Sequence, residues 1–285
     1  INNKIIKGPS LQIRNKGLNS KIHNNVCLKT GTPNFYRYYP VRIFSLLSGV
    51  DANNNYYHWF FDSLSRILIY KKFYKIKKND FFLVHNLKHD FQIQSLKLFE
   101  IKNLINAYKI NHIKATKILA INFIREFNFS SQKWLINSFR NIFLKKKKLR
   151  RYKKIFINRS GSASLIRDIY NKNEVLNFLK SKGFLIIDSS KLKFNDEIKL
   201  FSEAKFIIGV YGAGLTNIIF CNKKTRIIEL RPSKVNDNLY RNMAINAGLK
   251  YSCIYGKIIQ KAGTNRSFDG LFHINMSDLK KTLKI

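Results

Sequence analysis

Residues 206–220 read Phe206-Ile-Ile-Gly-Val-Tyr-Gly-Ala-Gly-Leu-Thr-Asn-Ile-Ile-Phe220. The apolar start of this stretch, residues 206–210, predicts a buried strand, and Gly212-Ala-Gly214 predicts a tight turn. The apolar run that follows predicts a helix with Thr216 and Asn217 in its first turn. Main-chain N–H groups converge at such a turn and the helix dipole adds positive potential, so the turn can bind an anion. A strand-to-helix turn that binds nothing has the same sequence features, and the glycine pattern alone does not separate the two.

A second strand pattern follows closely, in Thr225-Arg-Ile-Ile-Glu-Leu230. It contains one carboxylate, Glu229, near its C-terminal end. Ligands of open α/β sheets bind at the C-terminal ends of strands. We therefore interpret this region as a candidate nucleotide site, with a diphosphate on the glycine turn and a ribose on Glu229.

The composition is that of a folded and strongly basic protein. The chain has 285 residues, which favours about two domains, and its 45% hydrophobic content is sufficient for a packed core. The formal net charge is +37, from 53 Lys and Arg against 16 Asp and Glu. This excess indicates either solvated lysine-rich faces or an anionic partner, which could be nucleic acid, an acidic membrane or a phosphorylated substrate. The densest basic block, residues 145–154, is interpreted first as a solvated linker and second as a membrane or phosphate contact.

Cysteine usage and hydropathy indicate the compartment. Cys27, Cys221 and Cys253 have neither metal-site nor disulfide spacing, which favours buried thiols in a reducing compartment. No stretch reaches the roughly 18 to 20 apolar residues of a membrane-spanning helix. The first residues show no signal-peptide pattern. We therefore expect a cytoplasmic protein, with peripheral contact at the inner face of an acidic membrane as a further option.

Strand and helix patterns alternate along the chain. Before the basic block, strands are expected near residues 40–47, 80–85 and 118–121, and helices near residues 55–70, 90–100 and 130–143. After it, strands are expected near residues 154–159, 184–188, 206–210, 225–230 and 250–255, and helices near residues 173–182, 194–204 and 237–247. Strands separated by helices imply parallel sheets. We predict an α/β protein with two Rossmann-like domains, residues 1–150 and residues 151–285, facing across a cleft.

One helix of the first domain carries a candidate general base. His58 and Asp62 are four residues apart in a helical pattern and therefore share a face. A histidine and a carboxylate in this arrangement can act as a base and its orienting partner. A polar stripe on a capped helix explains an isolated His-Asp pair equally simply and is the more frequent case.

Taken together, the motifs resemble glycosyltransferase family 61. The resemblance covers residues 55 to 255 approximately, and its motifs are His58-Trp59 with Asp62, Arg159, Arg167-Asp-Ile-Tyr-Asn171, Gly212-Ala-Gly-Leu-Thr-Asn217, and Ile228-Glu-Leu230 followed by Pro232. It implies the GT-B fold, with an acceptor-side N-terminal domain and a C-terminal domain that binds a nucleotide sugar. It also implies inverting, metal-independent transfer of a sugar from a UDP-sugar to a glycan or lipid-linked acceptor, as in bacterial capsule and polysaccharide biosynthesis. No two carboxylates lie two residues apart, so the Asp-x-Asp motif of metal-dependent enzymes is absent from the sequence.

The resemblance also assigns roles to residues. His58 or Asp62 would be the catalytic base, and both assignments stay open. The leaving diphosphate would be stabilised by two guanidinium groups and the main chain of the turn. The donor-binding residues implied are Arg159, Arg167, Asn171, Tyr211, Gly212, Ala213, Gly214, Leu215, Thr216, Asn217 and Glu229. Tyr211 occupies the position at which many members carry histidine, which puts the donor and the activity in question.

Two other classes of function fit parts of the sequence. A non-catalytic glycosyltransferase-like domain would bind a nucleotide sugar or glycan without turnover, and Tyr211 is compatible with it. A basic nucleic-acid-binding protein is compatible with the charge of +37 and with 14% aromatic residues. The sequence contains no recognised nucleic-acid-binding motif, so this second class is the weaker one.

Overall fold

The computed structural model describes residues 35–48, 54–110, 112–121, 124, 132–144, 153–159, 166–264 and 266–283. The chain divides into two compact units, Ile1–Glu126 and Phe127–Ile285. The boundary between the units lies before the basic block, where the sequence analysis placed the domain boundary. The helix expected at residues 130–143 therefore belongs to the second unit. Cys27 and residues 145–152 of the basic block lie outside the described residues. Both units are built on mainly parallel sheets, which confirms the α/β class.

The first unit contains a four-stranded parallel sheet in the order β3-β2-β1-β4. Its strands are β1 (Arg37–Ser45), β2 (Phe81–Val84), β3 (Leu104–Asn106) and β4 (Ile113–Leu119). Helix α1 joins β1 to β2 and consists of α-helical Tyr56–His58, π-helical Trp59–Leu64 and α-helical Ser65–Phe73. Helix α2 (Asp90–Leu98) joins β2 to β3. The chain adds β2 and β3 on one side of β1 and then crosses to add β4 on the other side, which makes this a doubly wound order.

Aromatic packing holds α1 on this sheet. The ring of Phe44 lies 4.8 Å from that of Tyr70 and 5.3 Å from that of Phe82. Trp59 is fully buried, and its Nε1 donates to Ser95 Oγ of α2 at 2.9 Å. Because each large buried aromatic contributes on the order of 2 kcal/mol, these contacts fix the position of α1.

The second unit contains a seven-stranded sheet in the order β6-β11-β10-β9-β8-β5-β7, in which only the β10–β11 pair is antiparallel. Its strands are β5 (Lys153–Ile157), β6 (Arg167–Ile169), β7 (Leu185–Ile187), β8 (Ala204–Val210), β9 (Arg226–Pro232), β10 (Lys250–Lys261) and β11 (Gly270–His273). Its α-helices are α3 (Lys133–Phe143), α4 (Lys172–Ser181), α5 (Phe194–Ser202), α6 (Leu239–Asn246) and α7 (Met276–Thr282). Two 3-10 helices cover Ser189–Lys191 and Ala213–Phe220.

The strand order of this unit contains a topological switch point. After β5 the chain forms β6 at the far edge of the sheet and then returns to form β7 beside β5. It next crosses to β8 on the other side of β5, after which β9 and β10 continue outward. The order β7-β5-β8-β9-β10 is that of a doubly wound fold, whose ligands bind where the carboxyl ends of the first and third strands separate. Those two strands here are β5 and β8.

The central strands are buried on both faces. Phe156, Ile208, Ile228 and Ile254 form one cluster with the buried face of α4, and the opposite-pointing residues of β8 and β9 are buried as well. This explains why these strands read as continuous apolar runs rather than as alternating patterns. Among the described residues, no helix has the length and apolar character needed to span a membrane.

Candidate functional site

The glycine turn lies at the switch point of the second unit. β8 ends at Val210, and Tyr211 and Gly212 lead into the 3-10 helix. The first hydrogen bond of this helix runs from Leu215 N to Gly212 O at 2.9 Å. The sequence predicted a helix here, and the structure has one, of the 3-10 type. Six successive side chains, residues 215–220, are buried, so no exposed face was present to reveal the helical period.

Arg159 follows β5 and lies against this turn. A Cβ atom on Gly212 would lie well inside 3.0 Å of Arg159 Nη1, so glycine is needed for the guanidinium to reach the main chain. Nη1 donates to Tyr211 O at 3.3 Å. Burial, and secondarily the nearby charge of Arg167, lowers the pKa of Arg159. A desolvated guanidinium at a glycine turn is well suited to hold an anion.

The phenol ring of Tyr211 contacts the guanidinium groups of Arg167 and Arg231. Arg167 Cζ is 4.9 Å from the ring centroid and Arg231 Cζ is 5.3 Å from it. The phenol oxygen donates to Asp237 Oδ2 at 2.5 Å, and Arg231 Nη2 donates to Asp237 Oδ1 at 3.0 Å. Burial and Asp237 raise the pKa of Tyr211, which keeps the phenol protonated and able to donate. Neither Arg231 nor Asp237 was identified from the sequence, although an arginine on an otherwise apolar strand was an available signal.

Arg167 reaches this cluster from β6, at the far side of the sheet. Its Nε forms an ion pair with Asp269 Oδ1 at 3.0 Å, and its guanidinium also lies 5.2 Å from the ring centroid of Phe268. The side chain is nine-tenths buried, and Nη1 has no hydrogen-bond partner among the described residues. The structure thus brings Arg159, Arg167 and Tyr211 together, and their predicted role in donor binding stays a prediction.

Three more buried polar atoms at this edge have no hydrogen-bond partner in the described part of the chain. They are Asn158 Oδ1 after β5, Ser189 Oγ after β7 and Thr216 Oγ1 after β8. Ser189 Oγ lies 4.0 Å from the position of a Cβ atom on Gly214. Because buried polar groups are normally paired, this edge has hydrogen-bonding capacity for a ligand. Asn158 and Ser189 were missed in the sequence, although each follows a strand pattern almost directly.

Glu229, which was predicted to contact a ribose, is buried in the structure. Its side chain is fully buried, Tyr251 Oη donates to Oε2 at 2.5 Å, and Arg231 Nε lies 3.7 Å from Oε1. Burial raises the pKa of Glu229 to about 7. The carboxyl group is not accessible to a ribose in this structure and instead contacts Tyr251 and Arg231. A ribose contact by Glu229 stays a prediction that requires this group to become exposed.

Two asparagines that were predicted to bind the donor form hydrogen bonds within the protein. Asn171 Nδ2 donates to Glu174 Oε2 at 2.9 Å and to Ile274 O at 3.0 Å, and Asn171 Oδ1 accepts from Ile274 N at 3.0 Å. Asn217 Nδ2 donates to Glu197 Oε1 of α5 at 3.1 Å, with both side chains buried. These bonds tie α4 to the segment before α7, and the 3-10 helix to α5. Ligand contacts by either residue stay predictions.

In the first unit, α1 presents the candidate base. His58 Nδ1 and Asp62 Oδ2 are 2.7 Å apart, and both side chains are partly exposed. Asp62 lies in the π-helical segment, a local geometry that is frequent at functional sites. Arg66 Nε donates to Asp62 O at 2.7 Å, and Arg66 Nη1 donates to Ile121 O at 2.5 Å. The two side chains predicted to share a helix face therefore lie within hydrogen-bonding distance, and Arg66 ties the main chain of Asp62 to the segment after β4. Their catalytic role stays a prediction.

The carboxyl ends of β1 and β2 carry more polar groups beside α1. Ser48 N donates to His85 Nε2 at 3.0 Å, so a neutral His85 carries its hydrogen on Nδ1. Burial lowers the pKa of His85 and favours this neutral form. Ser48 Oγ lies 3.0 Å from Ser63 Oγ of α1. None of these three residues was identified from the sequence, although His85 directly follows the strand pattern of β2.

The predicted residues thus form two groups. His58 and Asp62 belong to the first unit, and Arg159, Arg167 and the glycine turn belong to the second. Comparison with known protein families matches residues 56–228, more than half of the 285 residues, to the family described as Glycosyltransferase 61. The match includes both groups and ends one residue before Glu229. No curated protein matches the chain.

Proposed function

The chain belongs to glycosyltransferase family 61 and is a glycosyltransferase, and we propose that its second unit binds the phosphates of a nucleotide-sugar donor. The observation that carries this proposal is the position of Arg159, whose guanidinium lies against Gly212 at the switch point between β5 and β8. Arg167 Nη1 and the hydroxyl of Thr216, which have no hydrogen-bond partner among the residues that the structure describes, support it, because both are buried groups that an anion could pair.

The proposed chemistry is inverting transfer without a metal ion. An acceptor hydroxyl oxygen forms a bond to the anomeric carbon while the bond from that carbon to the phosphate oxygen breaks, and the electron pair leaves with the nucleoside diphosphate. Negative charge therefore grows on the diphosphate in the transition state. Arg159, Arg167 and the N–H groups of residues 212–214, which precede the first hydrogen bond of the 3-10 helix, are the groups that would stabilise it, without reorganisation during the reaction.

The proton of the attacking hydroxyl is assigned to the pair on α1. In one version His58 accepts the proton and Asp62 orients the ring through the 2.7 Å contact. In the other version Asp62 accepts the proton and His58 binds the acceptor. Both versions use the same hydrogen bond, and replacement of each residue separates them.

The finer parts of the proposal rest on the family and on charge. We propose the GT-B arrangement of two Rossmann-like domains, since each unit has a doubly wound strand order. A UDP-sugar donor, a glycan or lipid-linked acceptor, and a role in bacterial capsule or polysaccharide biosynthesis complete the proposal. The cytoplasmic location expected from cysteine usage stays a prediction.

A thermal-shift panel of nucleotides and nucleotide sugars tests donor binding. A ligand present at 100 times its Kd raises the free energy of unfolding by about 2.7 kcal/mol, which is a measurable shift of the melting temperature. We expect a nucleoside diphosphate and its sugar to stabilise the wild type and not the Arg159→Ala variant. Arg241→Ala, which removes an exposed arginine of α6 in the same unit, is the matched control. Equal shifts in all three proteins would contradict the proposed site.

Turnover and donor affinity, measured separately, test the base. In His58→Ala and Asp62→Asn we expect turnover to fall on the order of 100-fold or more while the nucleotide-induced shift is kept. The group whose loss also removes the acidic limb of the pH–rate profile is the base. If both variants retain near-normal turnover with unchanged donor affinity, neither residue is the base.

A further inference from the structure

Lys172 is a cation of the second unit to which neither the sequence motifs nor the proposed donor site assigns a role. It directly follows the stretch Arg167-Asp-Ile-Tyr-Asn171 and is the first residue of α4. Its Nζ donates to Asp168 Oδ2 of β6 at 2.6 Å and to Arg159 O at 2.8 Å. Lys172 therefore joins α4 and β6 to the residue whose guanidinium lies against the glycine turn.

The ammonium group of Lys172 has a fixed partner in Asp168. The side chain of Asp168 is buried, and that of Lys172 is 25% exposed. Asp168 Oδ1 accepts from Ile169 N at 2.9 Å, so both oxygens of the carboxylate are in use. β6 itself is paired with β11, which holds Asp168 in the sheet. Because a hydrogen bond between two charged groups is short and strong, Asp168 holds Lys172 Nζ in place beside Arg159 O.

The main chain at Arg159 lies beyond the end of β5. This strand ends at Ile157, and Asn158 N donates to Ile187 O of β7 at 2.7 Å. One residue further along the chain, Arg159 O accepts from a side chain, that of Lys172. Main-chain pairing thus holds the chain at Asn158, and Lys172 holds the main chain of the residue that follows.

The guanidinium of Arg159 fits the glycine turn closely. Its Nη1 donates to Tyr211 O at 3.3 Å, and it lies so near Gly212 that a Cβ atom on this residue would overlap it. A rotation of the main chain at Arg159 is amplified at the far end of its long side chain. A displacement of about 1 Å in a positioned group can cost about 100-fold in rate. We therefore expect the position of the guanidinium to depend on the bond from Lys172.

We propose that Lys172 is a positioning residue of the donor site: anchored by Asp168, it holds Arg159 against the glycine turn, where the guanidinium meets the donor diphosphate. The inference rests on the donor site proposed above. Lys172 acts through Arg159 and not by contact with the donor, since its charge is paired with that of Asp168. Removal of Lys172 should therefore weaken donor binding only in proteins that contain Arg159.

Titration calorimetry with UDP tests this role in Lys172→Met. Methionine keeps most of the length and apolar contact of the lysine stem and removes both hydrogen bonds. We expect the Kd of UDP to rise about 10-fold, the lower end of the roughly 10- to 100-fold range for a hydrogen bond between a guanidinium and an anion. In an Arg159→Ala background, Lys172→Met should change the Kd by less than about twofold. A role in stability alone would lower the melting temperature and would not make the change in Kd depend on Arg159.

Lys180→Met is the matched control, because it removes one positive charge from an exposed position on the same helix. It should leave the Kd of UDP unchanged. An unchanged Kd in Lys172→Met, an equal rise in Lys180→Met, or an equally large effect of Lys172→Met in the Arg159→Ala background would overturn the inference.

The same titrations keep this inference apart from the donor proposal. If Arg159→Ala weakens UDP binding and Lys172→Met does not, the donor site stands and only the role of Lys172 is wrong. If UDP does not bind the wild type, or binds Arg159→Ala as tightly as the wild type, the donor site itself fails, and the role of Lys172 fails with it.

Discussion

Replacement of Gly212 by alanine tests the geometry of the glycine turn. The added Cβ atom would lie well inside 3.0 Å of Arg159 Nη1, so the guanidinium must leave the turn. The backbone itself accepts alanine, because φ at this position is 160° and ψ is 173°, which is extended. The atom displaced is the end of a flexible side chain, so the fold should tolerate the change while the turn loses its cation.

The magnitude follows from the lost contact. A hydrogen bond between a guanidinium and an anion contributes about 1.5–3 kcal/mol, which corresponds to a roughly 10- to 100-fold rise in the Kd of the nucleoside diphosphate. Replacement of glycine by alanine in an accessible conformation stabilises a protein by about 0.4–1 kcal/mol, so the free energy of unfolding should change little. Titration calorimetry with the nucleotide and chemical denaturation measure the two quantities separately.

Gly263→Ala is the matched control, because a Cβ atom at Gly263 would meet no atom of the described residues within 4 Å. It should leave nucleotide affinity unchanged. A double-mutant cycle adds a sharper check: in an Arg159→Ala background, Gly212→Ala should have little further effect, since both changes remove the same cation. Wild-type affinity in Gly212→Ala, or full additivity of the two changes, would refute the reasoning.

Three further predictions concern buried groups of the second unit. Burial raises the pKa of Glu229 from 4.5 to about 7, so the stability that this group contributes is present at acid pH and is lost as the pH rises towards 7. Between pH 4.5 and about pH 7, the free energy of unfolding of the wild type should therefore fall by up to about 3 kcal/mol relative to that of Glu229→Gln. Denaturation at several pH values measures this difference, and the same pH dependence in both proteins would contradict the prediction. Asn217→Ala, which removes the 3.1 Å bond to Glu197, should cost about 1–3 kcal/mol of stability in denaturation, and a loss of nucleotide affinity at unchanged stability would instead favour a ligand contact. Tyr211→Phe, which removes only the bond to Asp237, should weaken nucleotide binding in calorimetry less than Tyr211→Ala, which also removes the ring that contacts Arg167 and Arg231; equal effects would contradict a role for the ring.

Local patterns predicted much of the fold. Continuous apolar runs predicted β5, β8 and β9 because strands buried on both faces contain few polar residues. The short strand β6 was missed because its residues, Arg167-Asp-Ile169, are mostly charged and are stabilised by pairing with β11. The antiparallel β10–β11 pair was missed for a similar reason, since half of β10 is exposed and polar.

The sequence predicted those parts of the candidate site whose residues lie close together in the chain. The pair of His58 and Asp62 follows from helical spacing, and the 2.7 Å contact confirms that the two side chains meet. The glycine turn is read from its small residues. The cluster around Tyr211 could not be predicted, because Arg231 and Asp237 are distant from Tyr211 in the sequence and contact it only in the folded protein.

Glu229 is a residue whose burial the local sequence pattern did not indicate. Its place near the end of a strand suggested a ligand contact, but β9 continues to Pro232 and β10 covers it with Tyr251. The length of a strand and the side chains of its neighbours decide whether a carboxylate is exposed. Neither is contained in the local pattern.

The most direct test of the account is a crystal structure of the chain with a bound nucleoside diphosphate. We expect diphosphate oxygens at roughly 3 Å from main-chain nitrogens of residues 212–214 and from the guanidinium of Arg159. A nucleotide bound elsewhere, with Arg159 still against Tyr211 O and the turn uncontacted, would contradict the central claim.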